Sequence, residues 1–462
     1  MKRGLLALSP IVVLLVVYLA MSLASGDFYR ISISVAFVAA AVYAVAVMRG
    51  ISRSLQERVA TFSEGAADKN ILYMIWIFIL AGIFAASAKA MGAVDATVHF
   101  TLRFVPIEFL PAGIFVAACF VSLSIGTSVG TIVALTPVVT GLAQQMGVDT
   151  AQMVAIVVGG AFFGDNLSFI SDTTIAATMT QGCNMRDKFR TNMLIVLPAA
   201  LFSLGLYLFL GLSGGESIDV ASAAEWYKAI PYILVLVCAI AGVNVLVVLV
   251  LGILATALIG LASGSLSGVS FCEAADDGVV SMCELIIITL LAGGLMNMVK
   301  QGGGFEFITR AITKRITGRR GAEVAIAGLT VLTDICTANN TIAIITTGHI
   351  ARDLSQRYGI PPRKSASLMD TASCFAQGIL PYGAQLLMAS GLAGISPIEI
   401  IPHLYYPMAI GVMVSLSIIF HLRTATIRAI IDRLTRRCKN FQIEVIGIRY
   451  IHIGACQKFA SF

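Results

Sequence analysis

The sequence predicts an all-α polytopic membrane protein with about 10 spanning helices, two broken helical hairpins and an inverted-topology repeat. Three observations carry that expectation. Of 462 residues, 58% are hydrophobic and only 12% charged, whereas a soluble domain carries about 25% charged residues. Apolar runs of about 20 residues, the length that crosses the hydrocarbon layer as a helix, recur along the chain. Two short polar islands then interrupt these runs, one in each half: Gly159 to Thr174, and Thr333 to Thr341 followed by Asp370 and Pro381 to Gln385.

Taken in order, the expected spans are Gly4–Ala24, Ile31–Met48, Asn70–Ala90, Gln152–Ile170, Thr191–Leu212, Ile230–Gly242, Asn244–Leu261, Glu284–Val299, Ser365–Met388 and His403–Phe420. The first apolar run is longer than the ~7–15 residues of a signal-peptide core and is followed by many more, so it reads as a retained helix. The stretches Ile107–Met146 and Ala322–Ile350 are too long for one span and carry small polar residues midway, as hairpins entering from one side would. The chain then divides into 1–69 (two helices and a loop), 70–213 (first repeat), 214–283 (linking helices and outer loops), 284–421 (second repeat) and 422–462 (tail). Residues 440–462 resemble no span.

Cytoplasmic loops of membrane proteins collect Lys and Arg. That rule places Lys2, Arg3, Arg49, Arg53, Arg58, Lys69, Arg186, Lys188, Arg190, Arg310, Lys314, Arg315, Arg319, Arg320, Arg352, Arg357, Arg363, Lys364 and the basic cluster Arg423–Lys439 inside, with both termini. The acidic Glu216, Asp219, Glu225, Glu273, Asp276 and Asp277 fall outside. For this count to hold, the first hairpin enters from outside and the second from the cytoplasm, which inverts one half against the other. Sequence matches agree: Gly126–Ile132 aligns with Cys336–Ile342, Gln144–Val148 with Gln356–Ile360, and Phe163–Asp172 with Phe375–Ala384, at spacings of 210 to 212. Helical spans also place the protein in an inner membrane, since outer-membrane proteins are barrels.

Several function classes drop out. Nine cysteines form no CxxC pair and no zinc spacing, although Cys272 and Cys283 are close enough in sequence to pair. Five histidines include no HExxH, and no basic tract interleaves with aromatics as nucleic-acid binding would require. An intramembrane aspartyl protease would show Gly-x-Gly-Asp, but Phe162 stands two before Gly164. No enzyme and no cofactor is expected. The partners are the bilayer and small ions, and a homodimer is compatible with the sequence.

Carboxylates and amides are costly at membrane depth and by default mark an ion or substrate path. Broken helices survive there only where they line a cavity or are packed in protein. The carboxyl, hydroxyl and freed carbonyl oxygens of the first island are hard ligands suited to alkali cations. Asp165 and Asp172 are either ligands or caps of half-helices, and the same pair of readings holds for Asp334 and Asp370. Asn339 and Asn340, beside Thr337 and Thr341, are either hairpin-tip turn residues or ligands. Burial favours the protonated form of a carboxylic acid, and a nearby cation favours the ionised form. Sodium and proton therefore compete for one group, and alternating access to it makes an antiporter.

The run Phe163-Gly164-Asp165-Asn166-Leu167-Ser168-Phe169-Ile170-Ser171-Asp172-Thr173-Thr174 resembles the signature of NhaC-type Na⁺/H⁺ antiporters, close to Phe-Gly-Asp-Lys-Leu-Ser-Pro-Leu-Ser-Asp-Thr-Thr. Leu332–Ala343 and Ser365–Gln385 look like the same family, and the likeness spans roughly residues 70 to 420. The resemblance implies Na⁺(Li⁺)/H⁺ exchange, with Asp165, Ser168, Ser171, Asp172 and Thr173 as the matched cation and proton positions. Asn166 stands where the family pattern has Lys, and Phe169 where it has Pro. The family also holds exchangers of organic anions such as malate and lactate. Such a carrier, coupled to Na⁺ or H⁺ and moving a small organic anion or an amino acid, is the alternative reading; it would want a fixed cation in the polar islands, which contain no Lys or Arg.

Overall fold

The computed structural model describes residues 2–25, 33–48, 54–104, 106–169, 171–213, 225–241, 243–313 and 316–420. Met1–Val414 is a compact unit; of the second unit, Ser415–Phe462, only residues 415–420 are described. Arg49, Arg53, Glu216, Asp219, Lys314, Arg315, the basic cluster after residue 420 and the tail lie outside the described residues.

Twenty-one α-helices and no strand occur among the described residues. The N-terminal region forms α1 (Lys2–Ser25), α2 (Ile33–Val47), α3 (Leu55–Ala66), α4 (Lys69–Met91) and α5 (Ala93–Phe104). The first repeat contains α6 (Leu110–Ile125), α7 (Ser128–Met146), α8 (Thr150–Leu167), α9 (Asp172–Gln181) and α10 (Met185–Ser213). The linking region has α11 (Ile230–Ile240), α12 (Val245–Ala262) and α13 (Gly268–Ser281). Then come α14 (Cys283–Gln301), α15 (Gly304–Thr313), α16 (Gly318–Thr337), α17 (Asn340–Arg357), α18 (Pro362–Ile379), α19 (Ala384–Ala393), α20 (Pro397–Ile400) and α21 (Tyr405–Ile419). Seven helical segments among the described residues are long and apolar enough to cross a membrane, or eight if one bent pair counts as a span, and four shorter apolar helices join them. Residues 268–281, expected as an outer loop, are the helix α13 packed on α4, and Cys272 and Cys283 are free thiols.

The repeat is legible helix by helix. Helices α8 and α18 start and end 212 positions apart, and so do the starts of α9 and α19. Both expected hairpins are present, each broken by one left-handed residue: Gly126 (φ 75°) between α6 and α7, and Ala338 (φ 49°) between α16 and α17. These too are 212 apart, so the hairpin tips pair Gly126 with Ala338, two positions on from the Gly126–Cys336 match of the sequence. Turn geometry, which residue identity does not display, sets that register. Left-handed Gly147 and Gly359 close α7 and α17 at the same spacing. The halves also exchange partners: α9 packs on α17, and α19 packs on α7.

The glycines of the first island do not break the helix. Helix α8 runs through Gly159, Gly160 and Gly164, and these residues let it press against α6. A Cβ on Gly160 would lie 2.8 Å from the Phe115 carbonyl oxygen, and one on Gly164 would lie 2.5 Å from the Leu123 nitrogen. Small residues at such spacing let helix backbones approach closely in membranes. The break follows instead at Ser168 and Ser171, both extended, before α9. The expected span Ser365–Met388 is interrupted in the same way between α18 and α19.

Gly164→Ala should therefore destabilise the fold by about 1–3 kcal/mol, the usual cost of overpacking. Gly113→Ala, where a Cβ would meet nothing within 4 Å, should raise stability slightly, as Ala does for Gly inside a helix. Thermal unfolding of both variants in detergent checks this.

Candidate functional site

Asp165 sits two residues before the end of α8, 5% exposed, where the first-half helix opens. Its Oδ2 accepts a hydrogen bond from Ser128 Oγ at 2.8 Å, and its Oδ1 accepts one from Ser171 Oγ at 2.5 Å. Ser171 Oγ lies 2.9 Å from Thr173 Oγ1. Ser128 is the first residue of α7, directly after the hairpin break. Ser171 is the N-cap residue of α9. Both interruptions of the first half thus deliver a hydroxyl to the same carboxylate. No Lys or Arg among the described residues forms an ion pair with it.

The second half reaches the same place through amides. Gln377, 212 positions after Asp165, donates to the Ala338 carbonyl oxygen at 3.1 Å and to Gln385 Oε1 at 2.9 Å. Gln385 Nε2 in turn donates to Ser128 Oγ at 3.0 Å. One hydrogen-bonded chain therefore runs from the tip of the second hairpin to Asp165. Its start, Ala338, lines a cavity of about 170 Å³ together with Thr337, Asn339, Asn297, Lys300 and Tyr382.

A second buried group adjoins this one. Lys188 on α10 is 1% exposed, and its Nζ lies 2.5 Å from Asp370 Oδ2, 2.7 Å from Thr174 Oγ1 and 3.0 Å from the Asn166 carbonyl oxygen. Asn192 Nδ2 also donates to Asp370 Oδ2, at 2.9 Å, and to Asn166 Oδ1, at 2.6 Å. The loop-charge count placed Lys188 in a cytoplasmic loop; the structure buries it. Arg58, counted likewise, is 6% exposed and donates to the Ala46 carbonyl oxygen at 3.3 Å. A single cation near a run of exposed charges looks like loop in sequence, and only its helical phase on α10 against α18 betrays burial.

The structure sorts the remaining sequence candidates. Ser168 is buried and donates to the Leu123 carbonyl oxygen at 3.0 Å. Asp172 is exposed in the first turn of α9, where its charge favours the helix dipole. Asp334 is fully buried on α16, and neither carboxyl oxygen accepts a hydrogen bond of ordinary geometry. Asn339 is the N-cap of α17, its Oδ1 accepting from Ile342 N at 3.0 Å, and Thr337 Oγ1 donates to the Asn339 carbonyl oxygen at 3.1 Å. Asn340 is 8% exposed, and its Oδ1 accepts from Thr341 N at 3.0 Å. Ser128, Gln377, Lys188 and Asn192 were not among the sequence candidates, and Gln385 figured only as the end of the second polar island. The repeat itself carried a signal for Gln377, since alignment of Phe163 with Phe375 sets it opposite Asp165. No group of three or more His, Cys, Asp or Glu side chains suited to a metal ion occurs among the described residues.

A pair of broken repeats around a buried carboxylate defines the class of secondary membrane transporters. The sequence model of the Na⁺/H⁺ antiporter family matches residues 4–212 and 218–422, and the chain belongs to that family. It is 22% identical over 441 residues to a malate-2H⁺/Na⁺-lactate antiporter of Bacillus subtilis, covering 88% of this chain and 93% of the relative. It is also 22% identical to the Na⁺/H⁺ antiporter NhaC of Bacillus subtilis, covering 78% and 87%. An arginine/ornithine antiporter of Halobacterium salinarum is 21% identical, covering 74% and 78%. The solved YdaH transporter of Alcanivorax borkumensis aligns over 79% of this chain and 88% of its own at 15% identity, with a TM-score of 0.39.

Asn339→Ala should cost about 1 kcal/mol of stability, the usual loss on removing an N-cap, and Asn339→Ser should restore most of it. Thermal unfolding of the two variants without added Na⁺ checks the capping role.

Proposed function

We propose that this chain exchanges Na⁺ or Li⁺ for H⁺, with Asp165 as the group that each occupies in turn. One observation carries the reading: a buried carboxylate, in a chain of this family, is held among the described residues by hydroxyls and by no fixed cation. A hydroxyl offers one donor and two acceptor lone pairs. With Asp165 ionised and no ion bound, Ser128 and Ser171 donate to it. When their hydrogens rotate away, the same oxygens, with Thr173, face a cation beside the carboxylate. Protonation removes the charge that holds the cation, so the two loads exclude each other.

Alternating access follows from the two hairpin tips, which each contribute to the chain of hydrogen bonds around Ser128. Rocking of one repeat against the other would open Asp165 to opposite sides in turn. The exposed Asp172 adds negative field at the approach. Asp334 and Asp370 belong to the same polar centre as supporting carboxyl groups, and Thr337 and Asn339 line the cavity at the far end of the hydrogen-bonded chain. The inner (plasma) membrane, with cation-rich turns cytoplasmic, is the setting this reading implies.

The alternative reading, coupled exchange of a small organic anion, draws on the 170 Å³ cavity, which exceeds the needs of a bare ion. Against it, the core lysine is already bound to Asp370. Uptake of labelled dicarboxylates into proteoliposomes should be absent, and its presence would favour the alternative.

Proteoliposomes carrying the protein should dissipate an imposed pH gradient when Na⁺ or Li⁺ is added, and not with K⁺. Asp165→Asn should abolish the response, Asp172→Asn should slow it, and Asp277→Asn on the exposed face of α13 should leave it intact. A full response from Asp165→Asn would end this proposal.

A further inference from the structure

Two cavities approach the break between α18 and α19 from opposite ends of α14. The first, of 170 Å³, starts beside Asp68 and Lys300, near the C-terminal end of α14, and reaches Thr289, Ala338 and Tyr382. The second, of about 520 Å³, starts beside Ser281 and Glu284, at the N-terminal end of α14, and reaches Ile288, Ser390 and Pro381. Their inner ends rest on consecutive residues of the same two elements: Ile288 and Thr289 of α14, and Pro381 and Tyr382 of the break. One layer of side chains therefore divides them.

Tyr382 is the bulkiest member of that layer and is 5% exposed. Its hydroxyl donates to the Ile335 carbonyl oxygen at 2.8 Å. That carbonyl belongs to the last turn of α16, where a helix leaves its acceptors without internal partners. The ring meets Phe37 of α2 edge-on, with centroids 5.4 Å apart and planes at 78°. Tyr382 is thus clamped between the second hairpin and α2, with its polar end satisfied as a buried tyrosine requires. Beside it, Thr289 is 5% exposed and its hydroxyl has no hydrogen-bond partner among the described residues, so the first cavity keeps a polar group at its inner end.

We infer that the two cavities are the two approaches to the exchange centre, and that the Tyr382 ring is the seal that stops a cation in one from passing directly into the other. The inference rests on the exchange reading above and adds its access route. The first cavity ends on Ala338, where the hydrogen-bonded chain to Asp165 begins. The second ends on Pro381, four residues before Gln385 of the same chain. Coupling requires that Na⁺ cross only by way of the carboxylate. Two cavities open to each other would carry it down its gradient with no proton in return. The dividing layer offers a cation an aromatic ring, a proline and an isoleucine in place of its water, which makes direct passage costly. Tyr382 acts on the route and is not a ligand of the transported ion.

The test compares radioactive Na⁺ flux with proton flux in the same proteoliposomes, under an imposed potential and with a large dye entrapped. Tyr382→Ala should raise the Na⁺ moved per proton several-fold over the wild type, while the dye stays inside. Tyr382→Phe, which keeps the ring, should hold the wild-type ratio and unfold at a lower temperature, because the Ile335 carbonyl loses its donor. Phe37→Ala, which removes the other side of the clamp, should leak in the same direction to a smaller extent, and decides the matter if Tyr382→Ala does not fold. A wild-type ratio in the folded alanine variants, a Tyr382→Phe leak as large as that of Tyr382→Ala, or loss of the dye would each overturn the inference. Asp165→Asn separates the two readings. Alone it should carry neither ion, and Asp165→Asn/Tyr382→Ala should carry Na⁺ without protons. Coupled exchange by the wild type with no leak in the alanine variants removes the seal alone. Full exchange by Asp165→Asn removes the exchange reading and this inference with it.

Discussion

A carboxylate enclosed in protein must be paired or hydrogen-bonded, and at Asp165 the described residues provide hydroxyls but no ion pair. The surrounding architecture follows from that constraint. Hydroxyls can reach Asp165 from two directions because two helices are interrupted beside it, at Gly126–Thr127 and at Ser168–Ser171. Those interruptions are tolerable in a membrane because protein covers them: α8 lies against α6 with glycines at the contact, and α19 packs on α7. Continuous helices would have sent Ser128 and Ser171 elsewhere.

The repeat explains why the second half contributes an amide and not an acid. At the position of Asp165 the second half has Gln377, and at the position of Thr173 it has Gln385. A glutamine keeps the hydrogen-bonded geometry of the carboxylate without its charge, and passes the constraint on to the tip of the second hairpin through the Ala338 carbonyl. The asymmetry continues at Asp370 and Lys188, a pair with no equivalent in the first half, where Val158 stands at the position of Asp370.

Much of this was legible in the sequence because the signals are strong and local. The apolar runs gave most spanning helices to within a few residues, and the two hairpins fell where small polar residues interrupt long apolar stretches. Asp165, Ser171 and Thr173 belong to one short motif, and the structure brings them together. Residues contributed from distant helices were not legible. Lys188 lies among charged neighbours on α10 and pairs with a residue 182 positions away, and Ser128 and Gln385 are 257 apart. Asn339 also has a local role as the N-cap of α17, because a helix that begins in the middle of a protein must satisfy its first backbone N–H groups. The glycines of the first island carried a misleading signal, since glycine permits close packing as readily as it permits a break.

The most direct test is the number of protons released when Na⁺ binds to the purified protein, measured by titration calorimetry in buffers of differing ionisation enthalpy at a pH where the empty site is protonated. If sodium and hydrogen ions occupy the Asp165 carboxylate in turn, close to one proton should leave per Na⁺ bound, with neither binding nor release in Asp165→Asn. Sodium binding that displaces no proton, or that survives in Asp165→Asn, would contradict the account.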